Sequence, residues 1–127
     1  MTETRILPFL TVKDAARAIE FYKDAFGAEE LSRLETPTGQ IVAELAIDGA
    51  QFNVVDENPD GHNLSPETLG GTSVRVDLVV ADPDAVARRA IATGAQELFP
   101  IGDQPYGWRQ GRVIDPFGHH WLIGRPL

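Results

Sequence analysis

The sequence predicts an α+β fold: two tandem β-α-β-β-β modules forming a curled mixed sheet with a cleft, helices on the outer face. Three observations carry this reading. The chain repeats itself internally, each copy has the same order of periodicities and turn signals, and strand parity sorts the side chains into an apolar face and a mixed one. The repeat is seen by setting LPFLTVKDAARAIEFYKDAFGAEEL (7–31) above RVDLVVADPDAVARRAIATGAQEL (75–98). Val12 then stands over Val80 and Asp14 over Asp82; one residue is lost in the helix, and Gly27-Ala28 stand over Gly94-Ala95. The unit is too long and repeated too few times for a solenoid, so it is one module duplicated.

Each element follows from its residues. Residues 6–12 alternate and are partly β-branched, which suits a strand. Asp14 can accept from the free amides of a first helical turn, and Ala15, Ile19, Tyr22 and Phe26 recur at helical spacing. Gly27 suits the left-handed residue that ends a helix. Three strands follow: Leu31–Glu35, Gln40–Ile47 and Gln51–Val55, with a turn at Thr36-Pro37-Thr38-Gly39 and a hairpin at Asp48-Gly49. In the second copy Asp82-Pro83 caps and opens a helix that Gly94 ends. Its strands are Glu97–Ile101, Gly111–Ile114 and His119–Ile123, with a turn at Asp115-Pro116-Phe117-Gly118. The chain divides into module one (about 5–56), a Pro-, Gly-, Asp- and Asn-rich linker (57–72) and module two (about 73–125), all within one domain, 1–127.

Successive strand residues point to opposite faces. Leu10, Val12, Phe52, Val54, Val76, Leu78, Val80, Trp121 and Ile123 make one face, to be covered by the helices. The other face carries Leu7, Phe9, Glu44, Gln51, Asn53, Arg75, Asp77, His120 and Leu122. A face with carboxylates, an arginine and a histidine among apolar groups is either solvent-facing or a pocket, and since both modules contribute to it, curling of the sheet makes it a cleft.

Composition narrows the function. Eleven basic against nineteen acidic residues give a net charge of −8, which repels phosphate backbones and anionic headgroups. No nucleic-acid or membrane partner is expected. The absence of cysteine excludes a disulfide scaffold, a thiolate metal site and a cysteine nucleophile. No apolar run is long enough to span a membrane, and the opening MTETRILPFL lacks a basic-then-apolar signal, so a cytoplasmic location is expected. There is no nucleophile elbow, phosphate loop or dinucleotide fingerprint.

The opening PFLTVKDAARAIEFYKDAFGAEE, the linker end SPETLGGTSV and above all DPFGHHW (115–121) resemble the vicinal oxygen chelate superfamily of glyoxalases, bleomycin-resistance proteins and dioxygenases. The resemblance covers essentially the whole chain and implies the duplicated architecture. Metal-dependent members place a His or Glu on the first and last strand of each module. By the repeat alignment these positions fall on Leu7, Asn53, Arg75 and Leu122, none of which is His, Asp or Glu. Leucine has no donor, arginine is cationic and asparagine is a weak neutral ligand, so no metal and no cofactor are expected.

The residues that then remain are candidates for ligand binding. Glu44 and Asp77 offer charge to a ligand, although Arg75 and Asp77, two apart on one strand face, can also pair with each other or across strands. His120 enters the cleft, whereas its neighbour His119 must point the other way and is expected beside the turn, partly exposed. Trp108 and Arg109, with Tyr106, fall on a loop at the cleft rim, and Phe9 offers a stacking surface. Asp56, Asn58, Asp60, Gly61 and Glu67 match an EF-hand loop in spacing, but a strand precedes them and Pro59 and Pro66 stiffen the segment.

Likeness to the bleomycin-resistance type implies a homodimer that sequesters a small molecule, and the acidity suits a cationic aromatic drug. Two other classes stand beside it. One is an enzyme of the same superfamily, with Glu44 and His120 as base and acid if it works without metal. The other is a structural dimer whose cleft is filled by its own side chains.

Overall fold

The structure, a computed structural model, describes residues 2–127. Module one runs β1 (Phe9–Val12), α1 (Ala15–Phe26), β2 (Glu29–Glu35), β3 (Ile41–Ile47) and β4 (Ala50–Asp56). Module two runs β5 (Arg75–Val79), α3 (Pro83–Thr93), β6 (Gln96–Asp103), β7 (Trp108–Ile114) and β8 (His120–Pro126). The linker is ordered: a 3-10 turn at Pro59–Gly61 and a short helix α2 at Pro66–Leu69 lie between the modules. Each module builds its own four-stranded mixed sheet, β1-β4-β3-β2 and β5-β8-β7-β6. The first and last strands of each module pair in parallel, and the rest antiparallel. Among the described residues no helix is long and apolar enough to cross a membrane.

The helix ends form as their residues dictate. Asp14 accepts from the Arg17 amide, Asp82 from that of Ala85, and Gly27 takes φ 67° while its N–H bonds the Lys23 carbonyl. Asp56 supports the first module twice, accepting from the Ala15 amide at 2.7 Å and the Ile41 amide at 2.8 Å. That carboxylate is therefore committed to holding α1 and β3 on the end of β4.

The largest differences from the expected boundaries lie in β1 and in the β6–β7 pair. β1 starts at Phe9 and not at residue 6, the pairing with β4 beginning just after Pro8, which has no N–H to give a ladder. The segment expected as a rim loop is largely strand. β6 runs on to Asp103 through two irregularities, β7 begins at Trp108, and a tight turn joins them, with the Gly107 amide bonding Gln104 O. Pro100 sits within the second irregularity on an edge strand, where its missing donor costs no ladder bond.

One core joins the modules. Tyr22 and Phe26 of α1 meet Phe117 and Trp121 of module two, with the Phe26 and Trp121 rings 4.6 Å apart. Asp115, 3% exposed, lies at its centre. Its carboxylate accepts from Tyr22 Oη (2.5 Å), Trp121 Nε1 (2.9 Å) and the amides of Phe117 and His119. Four donors compensate the burial of that charge. Burial, and then the facing Asp115 charge, push the Tyr22 hydroxyl well above its ordinary value, so it stays a donor. His119 corrects the expectation of a part-exposed turn residue. It is buried, and its Nε2 lies 2.8 Å from the Thr11 carbonyl of β1, a second tie between the modules.

Candidate cleft-face binding site

Strand parity separates an apolar face from a mixed one. The apolar set is buried against the helices: Val12, Val54 and Ile123 have no exposed surface, and Trp121 has 1%. Asn53 lies between Phe9 and Glu44 in register, and Arg75 beside His120, all on the opposite face.

The two larger hollows lie one on each module. The hollow on module one, about 450 Å³, is lined from β1, β3, β4 and the 36–40 turn, with Asn58 and Asn63 of the linker at its edge. That on module two, about 410 Å³, is lined by β5, β6, β7 and β8 alone. Neither hollow is filled by the side chains of its own chain. Of the candidate residues, Phe9 lines the first hollow and Arg75 the second; Glu44, Asn53, Trp108 and His120 share those sheet faces without lining either, and Asp77 lines a smaller hollow with Gln51 and Phe52 of module one. Both modules leave large apolar groups open, among them Phe9 and Phe99, each 56% exposed.

On module one, Glu44 is exposed and engaged: its two oxygens accept from Ser32 Oγ at 2.7 Å and Gln51 Nε2 at 2.8 Å. Gln51 in turn accepts from Arg5. Asn53 Oδ1 is buried with no hydrogen-bond partner. The hollow beside Phe9 is mixed, with Val42 and Val55 on its floor, Thr36, Thr38 and Gln40 at its turn end, and Asp56 as its one charged group.

On module two, Arg75 and Asp77 form no ion pair with each other. The His120 ring is half-buried. Burial, followed by the Arg112 guanidinium, holds it below its ordinary value of 6.5, so it is neutral at pH 7. Trp108 is half-buried on the cleft side of β7. Arg109 is a correction to the sequence reading. It points to the helix side, where Nε and Nη2 fork onto Asp84 of α3 at 2.8 and 2.9 Å and Nη1 bonds Asp103 at 3.0 Å. The paired carboxylates raise the Arg109 pKa, and the guanidinium depresses that of Asp84. The physical reason is parity: with β7 beginning at Trp108, residue 109 falls on the face of the buried Gly111 and Val113. Arg112, which the sequence reading did not single out, occupies the cleft face instead. Its alternation with buried Val113 was the available signal.

Among the described residues no three His, Asp or Glu side chains converge to hold a metal ion. A divalent ion placed as in metal-dependent relatives would face the half-buried Leu7 and Leu122, the Asn53 amide and the Arg75 guanidinium, and these do not fit it. The EF-hand spacing is likewise spent, since Asp56 holds α1 and β3, and Glu57 instead accepts from the Ser65 amide and hydroxyl.

A duplicated β-α-β-β-β chain with a mixed polar face on each sheet defines the class. Comparison with known proteins places the chain within it: the family model for the Glyoxalase/Bleomycin resistance protein/Dioxygenase superfamily matches residues 5–123. The chain belongs to that superfamily. It is 43% identical to the uncharacterized protein Rv0887c of Mycobacterium tuberculosis, over 98% of this chain and 76% of that protein. Among solved structures it is similar to TioX from Micromonospora sp. ML1, with 27% identity, a TM-score of 0.73, and 98% and 100% of the two chains covered. The fosfomycin resistance protein FosX of Listeria monocytogenes shares the fold, with a TM-score of 0.76 at 18% identity over 100% and 96% of the chains.

Proposed function

We propose that this chain is a metal-independent small-molecule-binding protein of the superfamily and acts as a homodimer. The observation that carries the reading is the pair of open hollows on cleft faces whose inherited ligand positions hold Leu7, Asn53, Arg75 and Leu122. A pocket of this size suits a small organic molecule. A metal-free reaction using Glu44 and His120 has less support, because Glu44 already accepts two hydrogen bonds.

The two hollows, as half-sites, support the dimer. Module one of one chain facing module two of another would close two equal clefts about a two-fold axis. Phe9, Phe99 and the other open apolar groups of these faces would be covered by the same step. A cationic aromatic ligand, which the net charge suited, has little support from the cleft itself: Glu44 is engaged and Arg75 and Arg112 line the second hollow.

Two measurements test this. After incubation with Ni, Zn, Mn and Fe(II) followed by desalting, elemental mass spectrometry should find no stoichiometric ion. One ion per cleft would return the protein to the metal-dependent enzymes. Sedimentation equilibrium should give twice the chain mass, and a monomer at all concentrations would remove the two-chain cleft.

A further inference from the structure

The hollow on module two contains two arginines with nothing to bind. Arg75 on β5 and Arg112 on β7 both line it, with β8 between them. Neither guanidinium donates a hydrogen bond or forms an ion pair to any described residue, whereas Arg33 and Arg109 are both paired. Water solvates the exposed Arg75. It does not reach Arg112 Nε, which is buried and has no partner. An orphaned buried donor on a charged group is a costly arrangement. The Phe99 ring, 5.4 Å from Arg112 Cζ, supports the cation's face but offers its N–H groups no acceptor.

Three other polar atoms of the hollow are already engaged within the chain. Gln104 Nε2 donates to the Gly102 and Gln110 carbonyls, and Tyr106 Oη donates to Gln110 Oε1. Asp77, the nearest carboxylate on the same face of β5, is exposed and is within ion-pair distance of neither arginine. The remaining lining is apolar: Phe99, Pro100, Ile101 and Leu122.

From this juxtaposition we infer that the module-two hollow is an oxyanion subsite, in which Arg75 and Arg112 together hold the acidic group of a small organic acid. The apolar body of the acid lies against Phe99, Ile101 and Leu122. Guanidinium forks match carboxylate and phosphonate oxygens in geometry, and the Arg112 Nη groups, unlike the sealed Nε, are open to a ligand and have no partner in the chain. The inference rests on the small-molecule-binding reading above and names the ligand chemistry of one of its half-sites.

The test follows the arginine Nε–Hε resonances by NMR in the intact protein during titration with four probes of one shape: benzoate, phenylphosphonate, benzyl alcohol and benzamidinium. Benzoate or phenylphosphonate should shift the Arg112 signal saturably and bind about tenfold or more tightly than benzyl alcohol. Which acid binds better distinguishes a carboxylate from a phosphonate ligand. Arg112→Gln should erase that preference. Arg75→Gln, at an exposed position that leaves the core untouched, should reduce it, and it keeps the test decisive if the first variant misfolds. Equal binding of benzoate and benzyl alcohol overturns the subsite while leaving the binding hollow standing. Preference for benzamidinium overturns it in favour of a cationic ligand. If no probe shifts any resonance of the hollow, the subsite and the small-molecule reading fall together.

Discussion

Asp115 and His120 lie within one turn and strand of module two and show how differently two ionisable groups can be held. Asp115 is surrounded by four donors. In Asp115→Asn the new amide turns an NH2 group towards donors, and a loss of about 3 kcal/mol is expected in urea unfolding. Tyr22→Phe removes one donor and should cost about 1–2 kcal/mol. Combined, the two changes should cost less than their sum, because both act on one network. His120 is held below 6.5 by burial and Arg112, so the unfolded chain takes up its proton first as the pH falls. Its contribution to stability is complete above 6.5 and is lost as the pH drops from there to the lowered folded-state value. In His120→Gln that acid-side slope should flatten, and a denaturation series from pH 7.5 to 4.5, about three units wide, would record it. An unchanged slope would assign the acid sensitivity to other groups.

Element by element, legibility followed periodicity. The α1 stripe of Ala15, Ile19, Tyr22 and Phe26 is buried as read, and so is the apolar parity of β4 and β8, because a single-residue slip would have turned every side chain over. Residues 102–110 were not legible. Gly102, Gln104, Pro105 and Gly107 look like loop residues, and it is cross-strand pairing, Gly102 and Asp103 with Gln110 and Arg109, and Trp108 and Arg109 with Pro126 and Arg125, that makes the ends of this segment strand. The β6–β7 pair also has a requirement hidden in one glycine. A Cβ on Gly111 would lie 2.7 Å from the Phe99 carbonyl and 2.8 Å from the Ile101 nitrogen, both backbone atoms. Gly111→Ala should therefore push β6 away, cost about 1–3 kcal/mol, and speed hydrogen exchange in β6 more than in β3. Uniform exchange across both sheets would contradict this account.

For the whole molecule, the duplication and the superfamily were readable, whereas the division of the cleft was not. Repeat alignment assigns Phe9 and Arg75 to equivalent faces, but it contains no information on whether those faces meet in one chain. That depends on how α1 and α3 pack, with Arg89 of α3 donating to the Asp24 carbonyl at the end of α1. Charge was legible only as a total. A net −8 said nothing of the unpaired arginines gathered in one hollow. If the chain is a dimer whose clefts are shared, folding and assembly are linked, and its melting midpoint should rise with protein concentration. A midpoint that is constant over a hundredfold range, roughly, would mean each chain is stable alone.

The two indoles of the chain stand in opposite surroundings, and this gives the molecule two separate optical reporters. Trp121 is sealed beside Asp115 at the junction of the modules, while Trp108 is half-buried on the cleft side of β7, on the same face as Arg112. Emission from Trp121 will change only when the shared core opens. Trp108 senses the cleft face while the fold is intact. With Trp121→Phe as background, light from the remaining indole would report occupancy of the cleft without any contribution from the core indole.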